Sequence, residues 1–214
     1  MKNKTLVSFC FFPVIGLTQF QIGLGFTTNI AFKINYETTH PDKYYNIGNG
    51  FSLDAKYTFK KVPTSSIVFG FEYSSIRHTF FMNGFSLFLN NSNVKILTSY
   101  KFNFQPNAVN SPFIGIGINH LIQTNAYTGT IFNKDKILQT IDRKAGYYPL
   151  MFFAIGLRHK FKNNNLDVSL GLNYGFNMNE KIKYEDNSNK TEINLSGKNS
   201  YIFLKLAYFF QLPH

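Results

Sequence analysis

Any chemistry in this 214-residue chain would have to come from a short inventory: five histidines, one cysteine and charged side chains amounting to 15% of the residues. His40, His78, His120, His159 and His214 are scattered, mostly in expected loops or at strand rims. Cys10 stands alone, which excludes a disulfide framework, a CxxC redox pair and a zinc site built on cysteines. No cluster of His, Cys, Asp or Glu has metal-ligand spacing. Gly23-x-Gly25 and Gly115-x-Gly117 look like phosphate-loop fragments, but neither opens a helix and strand alternation explains both. The expectation is a chain with no catalytic group, no metal and no cofactor.

The remaining candidates are charges that recur on one parity of alternating stretches: Lys33, Asp54, Lys56, Glu72, Lys95, Lys101, Arg158, Lys160, Asp167 and Lys205. What positions them is a period of two. From Gln21 to Tyr36 the even positions are Ile22, Leu24, Phe26, Thr28, Ile30, Phe32, Ile34 and Tyr36, while the odd ones are small or polar. A strand sends successive side chains to opposite faces, so this is a half-apolar strand and not a helix of period 3.6. Seven further stretches repeat the pattern, near 51–59, 67–74, 94–104, 114–119, 149–158, 166–176 and 202–210. Connections alternate long (37–47, 78–93, 123–148, 179–198) and short (60–65, 105–112, 162–165), which describes an eight-stranded up-and-down meander.

Alternation leaves open which face is outside, a soluble lipocalin-like barrel with an apolar interior or its membrane inverse. Charge placement favours the inverse, because the apolar face of all eight stretches carries no Asp, Glu, Lys or Arg. A Lys or Arg facing lipid at the bilayer midplane costs about 2–4 kcal/mol, so such a face is purged of charge. The opposite face is rich in glycine, as the narrow interior of an eight-stranded barrel requires. Aromatics reach 18%, with 25 Phe and 13 Tyr, and gather towards stretch ends as two girdles would. The net charge of +11 and pI near 9.6 are spread along the chain, so nucleic acid is not an expected partner.

Residues 1–20 carry Lys2 and Lys4, then an apolar run from Leu6 to Leu17, the pattern of a secretory signal peptide and too short to cross a membrane as a helix. Residues 21–214 form the expected barrel domain. Its lumenal charge network is expected from Lys33, Asp54, Lys56, Glu72, Lys101, Arg158 and Lys205, with Asp54, Glu72 and Lys205 at similar depth. Unpaired charge is costly in low dielectric, so Asp54, Glu72 and Asp167 should be paired with the surplus of Lys and Arg in a plug.

In this pattern the chain resembles the small outer-membrane barrels of Gram-negative bacteria, the OmpA/OmpX type, over its mature length. Lys205, Ala207, Phe210 and Leu212 resemble the C-terminal signal read by the outer-membrane assembly machinery, with Ala207 in place of the usual glycine. The resemblance implies location in outer-membrane lipid, delivery by periplasmic chaperones and insertion by that machinery. It also implies short turns on the periplasmic side and long loops outside, available to a surface partner. It does not fix one activity. Lipid A deacylases of this class use a His-x-Ser pair near the position of His159, but Phe161 stands where the serine should be. The expected function is therefore a non-enzymatic barrel with a structural or partner-binding role. A narrow anion-selective pore, a lipid-modifying enzyme and a soluble apolar-ligand binder are the alternatives.

Overall fold

The structure is a computed structural model and describes residues 20–31, 35–36, 43–82, 85–123, 128–133, 136–142, 146–175, 177–186, 189–198 and 200–211. Side chains are described within 20–30, 47–77, 92–122, 146–175 and 200–211. The strands are β1 (Phe20–Ala31), β2 (Asn35–Tyr36), β3 (Lys43–Phe59), β4 (Val62–Met82), β5 (Phe85–Asn103), β6 (Asn110–Gln123) and β7 (Thr128–Asn133). They continue as β8 (Lys136–Asp142), β9 (Gly146–Phe161), β10 (Asn164–Gly175), β11 (Asn177–Asp186), β12 (Asn189–Lys198) and β13 (Tyr201–Gln211).

Eight of these close a barrel in the order β4-β3-β1-β13-β10-β9-β6-β5, and β5 returns to pair with β4. Each neighbour is antiparallel, and the first and last barrel strands seal the ring through Gln21 opposite Gln211 up to Ala31 opposite Tyr201. Closure removes the exposed edges that an open sheet would leave in lipid. β1 begins at Phe20, opposite Tyr57.

The expected face assignment holds throughout the described side chains. Phe51 (69% exposed), Ile155 (62%) and Leu24 (59%) point outwards, while Lys56 and Lys95 (1% each) and Asn29 (0%) point in. A soluble barrel with an apolar interior is thereby set aside. The outward aromatics do cluster at the short-turn end. Rings pair edge to face at Tyr57–Phe59 (5.5 Å), Phe102–Phe104 (5.3 Å) and Tyr208–Phe210 (4.7 Å), where ring and hydroxyl suit a headgroup boundary.

The two ends differ more than the sequence suggested. At one end Lys60–Lys61 and Lys162–Asn163 are two-residue turns, Lys162 adopting a left-handed φ of 48°, and residues 104–109 form the third connection. At the other end the stretches read as long loops are largely strand. β4 and β5 continue pairing to Met82 opposite Phe85, across the region expected as a 78–93 connection. The 123–148 connection contains β7 and β8, with β7 laid against β5. The 179–198 loop is the β11–β12 hairpin, to which β2 adds a third strand. Outside lipid the backbone ladder can continue without an apolar face, so the period-two signal fades while the strand does not.

Candidate functional site

The barrel interior is narrow, and what fills it follows from the ladder. Each lumenal phenyl ring faces a glycine directly across a strand pair: Phe209 opposite Gly23, Phe203 opposite Gly171, Phe113 opposite Gly156 and Phe152 opposite Gly117. A methyl group on Gly23 would lie 2.6 Å from the Phe209 ring, and one on Gly171 would lie 2.2 Å from Phe203. Gly23, Gly171 and Gly156 are therefore the space that their opposing rings occupy, whereas the Phe152 ring lies over Gly115 and a methyl on Gly117 would meet the β5 backbone at Thr98 and Ser99.

Those rings divide the charges into levels. Nearest the short turns, Asp167 on β10 receives three cations: Lys101 in direct contact, Arg158 Nε at 3.3 Å and Lys56 Nζ at 3.9 Å. Lys101 and Lys56 also lie over the faces of Phe113 and Phe209, at 3.3 and 3.9 Å from the ring centroids, so an aromatic quadrupole supplements the one carboxylate. The next level holds Asp54 and Lys205, whose Nζ lies 2.7 Å from Oδ2 and donates to Oδ1 at 3.0 Å, while Ser52 Oγ donates to the same carboxylate at 3.2 Å.

Above it Phe152 stacks on Phe203 (5.4 Å between centroids), and with Leu97 and Ala154 they form an apolar layer across the lumen. Against the same cavity as those rings and the Asp54–Lys205 pair, Lys95 Nζ lies 2.5 Å from Glu72 Oε1, Thr27 donates to Oε2 at 3.0 Å, and Asn119 donates to Asn173 at 3.1 Å. Leu121, Leu150 and Tyr201 close the far end of the described interior. The cavities left between levels measure about 20 and 50 Å³, room for on the order of one to a few waters.

Of Asp54, Glu72 and Lys205, expected at similar depth, the structure pairs Asp54 with Lys205, whereas Glu72 finds Lys95. Lys56, Lys101 and Arg158 gather on Asp167. Lys160 is exposed at the mouth, and Lys33 lies outside the described residues. Ala207 faces inwards and Phe210 outwards against Tyr208, while Leu212 is again outside the described residues. Sequence reading missed the inward rings as partners of the lysines, although their position opposite glycines could have revealed them. His159 Nδ1 lies 2.7 Å from Asn110 Oδ1 and its ring packs at 4.3 Å on Phe161.

No family model matches the chain, and no curated protein matches it. Solved structures do. The chain is similar to the outer membrane protein OprG from Pseudomonas aeruginosa, at 10% identity over 91% of this chain and 97% of that one, with a TM-score of 0.51. It is also similar to a major outer membrane protein from Thermus thermophilus, at 12% identity over 88% and 99% of the two chains, TM-score 0.52. At such identities the shared property is the fold. Together with the apolar outer belt it defines the class: a closed, eight-stranded transmembrane barrel with the fold of the small outer-membrane barrels.

Proposed function

We propose that this chain works in the outer membrane as a closed, non-enzymatic barrel that anchors the strand extensions at its open end for contact with a partner. The observation that carries the closed lumen is the Phe152–Phe203 stack packed around one small cavity with two ion pairs, Asp54–Lys205 and Glu72–Lys95. Cavities of only about 20 and 50 Å³ among the described lumenal residues support a lumen too narrow for a hydrated ion. His159 supports the absence of hydrolysis: it faces an amide and a phenyl ring, and Phe161 offers no hydroxyl to activate.

The partner-binding role rests on the paired β4–β5 extension and the three-stranded β11–β12–β2 sheet, which hold ordered backbone beyond the apolar belt.

Planar-bilayer recording tests the lumen. The refolded chain should give no discrete current steps, and Phe152→Ala with Phe203→Ala and Asp54→Ala should open a measurable conductance. Steady anion-selective steps from the unaltered chain would replace this reading with the narrow pore, for which the lumen's surplus of Lys and Arg over Asp and Glu is the supporting feature.

A further inference from the structure

The positive surplus is concentrated at one end. The Asp54–Lys205 and Glu72–Lys95 levels each match one cation to one carboxylate, but Asp167 alone faces Lys56, Lys101 and Arg158. Arg158 spends Nε on Asp167, while its Nη2 is fully buried without a hydrogen-bond partner and the residue is only 7% exposed. Three cations on one carboxylate leave a positive excess at this end that no other carboxylate among the described residues matches.

Arg158 lines a cavity of about 360 Å³ at the short-turn mouth. Lys60 from the β3–β4 turn, Lys162 from the β9–β10 turn and Lys160 from β9 line it too, together with amides that include Gln21 and Asn165. The lining contains no Asp or Glu. Gln21 and Asn165 are already occupied with each other and with the carbonyl of Asn163, which fixes the cavity wall and leaves the cations to face a ligand.

We infer that the short-turn mouth is a binding site for a phosphate-class oxyanion. Arg158, fixed by its bond to Asp167, supplies a permanent positive charge in the wall, and Lys60, Lys160 and Lys162 supply point charges and N–H donors around the anion. A doubly charged phosphate also offsets the excess that Asp167 leaves unmatched. The phosphate could be free in solution or carried by a lipid headgroup, since the mouth stands where the aromatic girdle meets water.

Amide chemical shifts of the 15N-labelled barrel in a maltoside micelle, which contains no phosphate, provide the test. Inorganic phosphate titrated at constant ionic strength against chloride should give saturable shifts at residues 60–62, 107–108 and 160–164. Arg158→Gln should weaken that binding about tenfold. Lys160→Gln with Lys162→Gln, both exposed, should also weaken it and guards against misfolding of the Arg158 variant. Saturation by short-chain phosphatidic acid but not by inorganic phosphate would assign the site to a lipid headgroup. Shifts that match those of chloride for both probes, or that persist unchanged in both variants, would overturn the site. Bilayer conductance is unaffected by either result, so the closed-lumen reading stands or falls separately.

Discussion

At the scale of single residues, Asp167 carries more of the lumen than any other described group. It is the only carboxylate among them in contact with three cations, one of which, Lys56, has no hydrogen-bond partner at all. Breaking a buried pair costs about 3–5 kcal/mol because the remaining charge is left uncompensated. Asp167→Asn leaves three mutually repelling cations and should reach that range, read as a lower urea midpoint of the refolded barrel. Asp54→Asn strands only Lys205, which is more exposed, and should cost less. Adding Lys101→Met to Asp167→Asn should restore part of the loss. Equal losses for the two single variants would mean that lumenal charges are screened by water and carry no level-by-level pairing.

Strands add a constraint that no residue shows alone. The opposition of ring and glycine across three strand pairs, β1–β13, β10–β13 and β6–β9, constrains both register and lumen width, and its sites are not equivalent. At Gly23 every close neighbour of an added methyl belongs to the Phe209 ring, whereas at Gly171 it also meets the backbone oxygen of Phe153 at 2.4 Å. Overpacking costs roughly 1–3 kcal/mol, and only a side chain can yield cheaply. Gly23→Ala should therefore be rescued by Phe209→Leu, while Gly171→Ala should stay destabilised when Phe203→Leu is added, both followed by urea unfolding in detergent.

This is also where the limits of sequence reading lie. The eight membrane stretches were legible because lipid on one side and a narrow lumen on the other force alternation, as Leu24, Phe26 and Ile30 against Gly25, Thr27 and Asn29 show. That Asp54 and Lys205 sit at one depth on the inner face was legible for the same reason. The partner of Glu72 was not, because Lys95 and Lys205 both lie within reach of that face and only the β4–β5 register, which sets Glu72 directly opposite Lys95, decides between them. Nor were the extensions beyond the belt. Ser74, Ser75 and Arg77 on β4 pair with Asn93, Ser92 and Asn90, polar on both faces, so no apolar alternation marks them as strand.

At the scale of the whole molecule, the asymmetry between ends becomes an asymmetry between compartments. On β4 the outward apolar set ends at Tyr73, yet pairing with β5 runs on to Met82. At about 3.3 Å per residue and a tilt near 45°, that lifts the hairpin ~20 Å clear of the belt. The short-turn end has no comparable projection among the described residues. If the extensions face outwards, trypsin added to intact cells should cut at Lys136 and Lys190, at the starts of β8 and β12, and spare Lys60, Lys61, Lys160 and Lys162. Mass spectrometry of the fragments distinguishes the two sets. The clipped chain should still migrate as one compact band until boiled, because the seal between β1 and β13 and the ladders of the belt lie away from those sites. Cleavage at Lys60 and Lys162 in intact cells would invert the orientation and would place the basic mouth on the exposed side of the membrane.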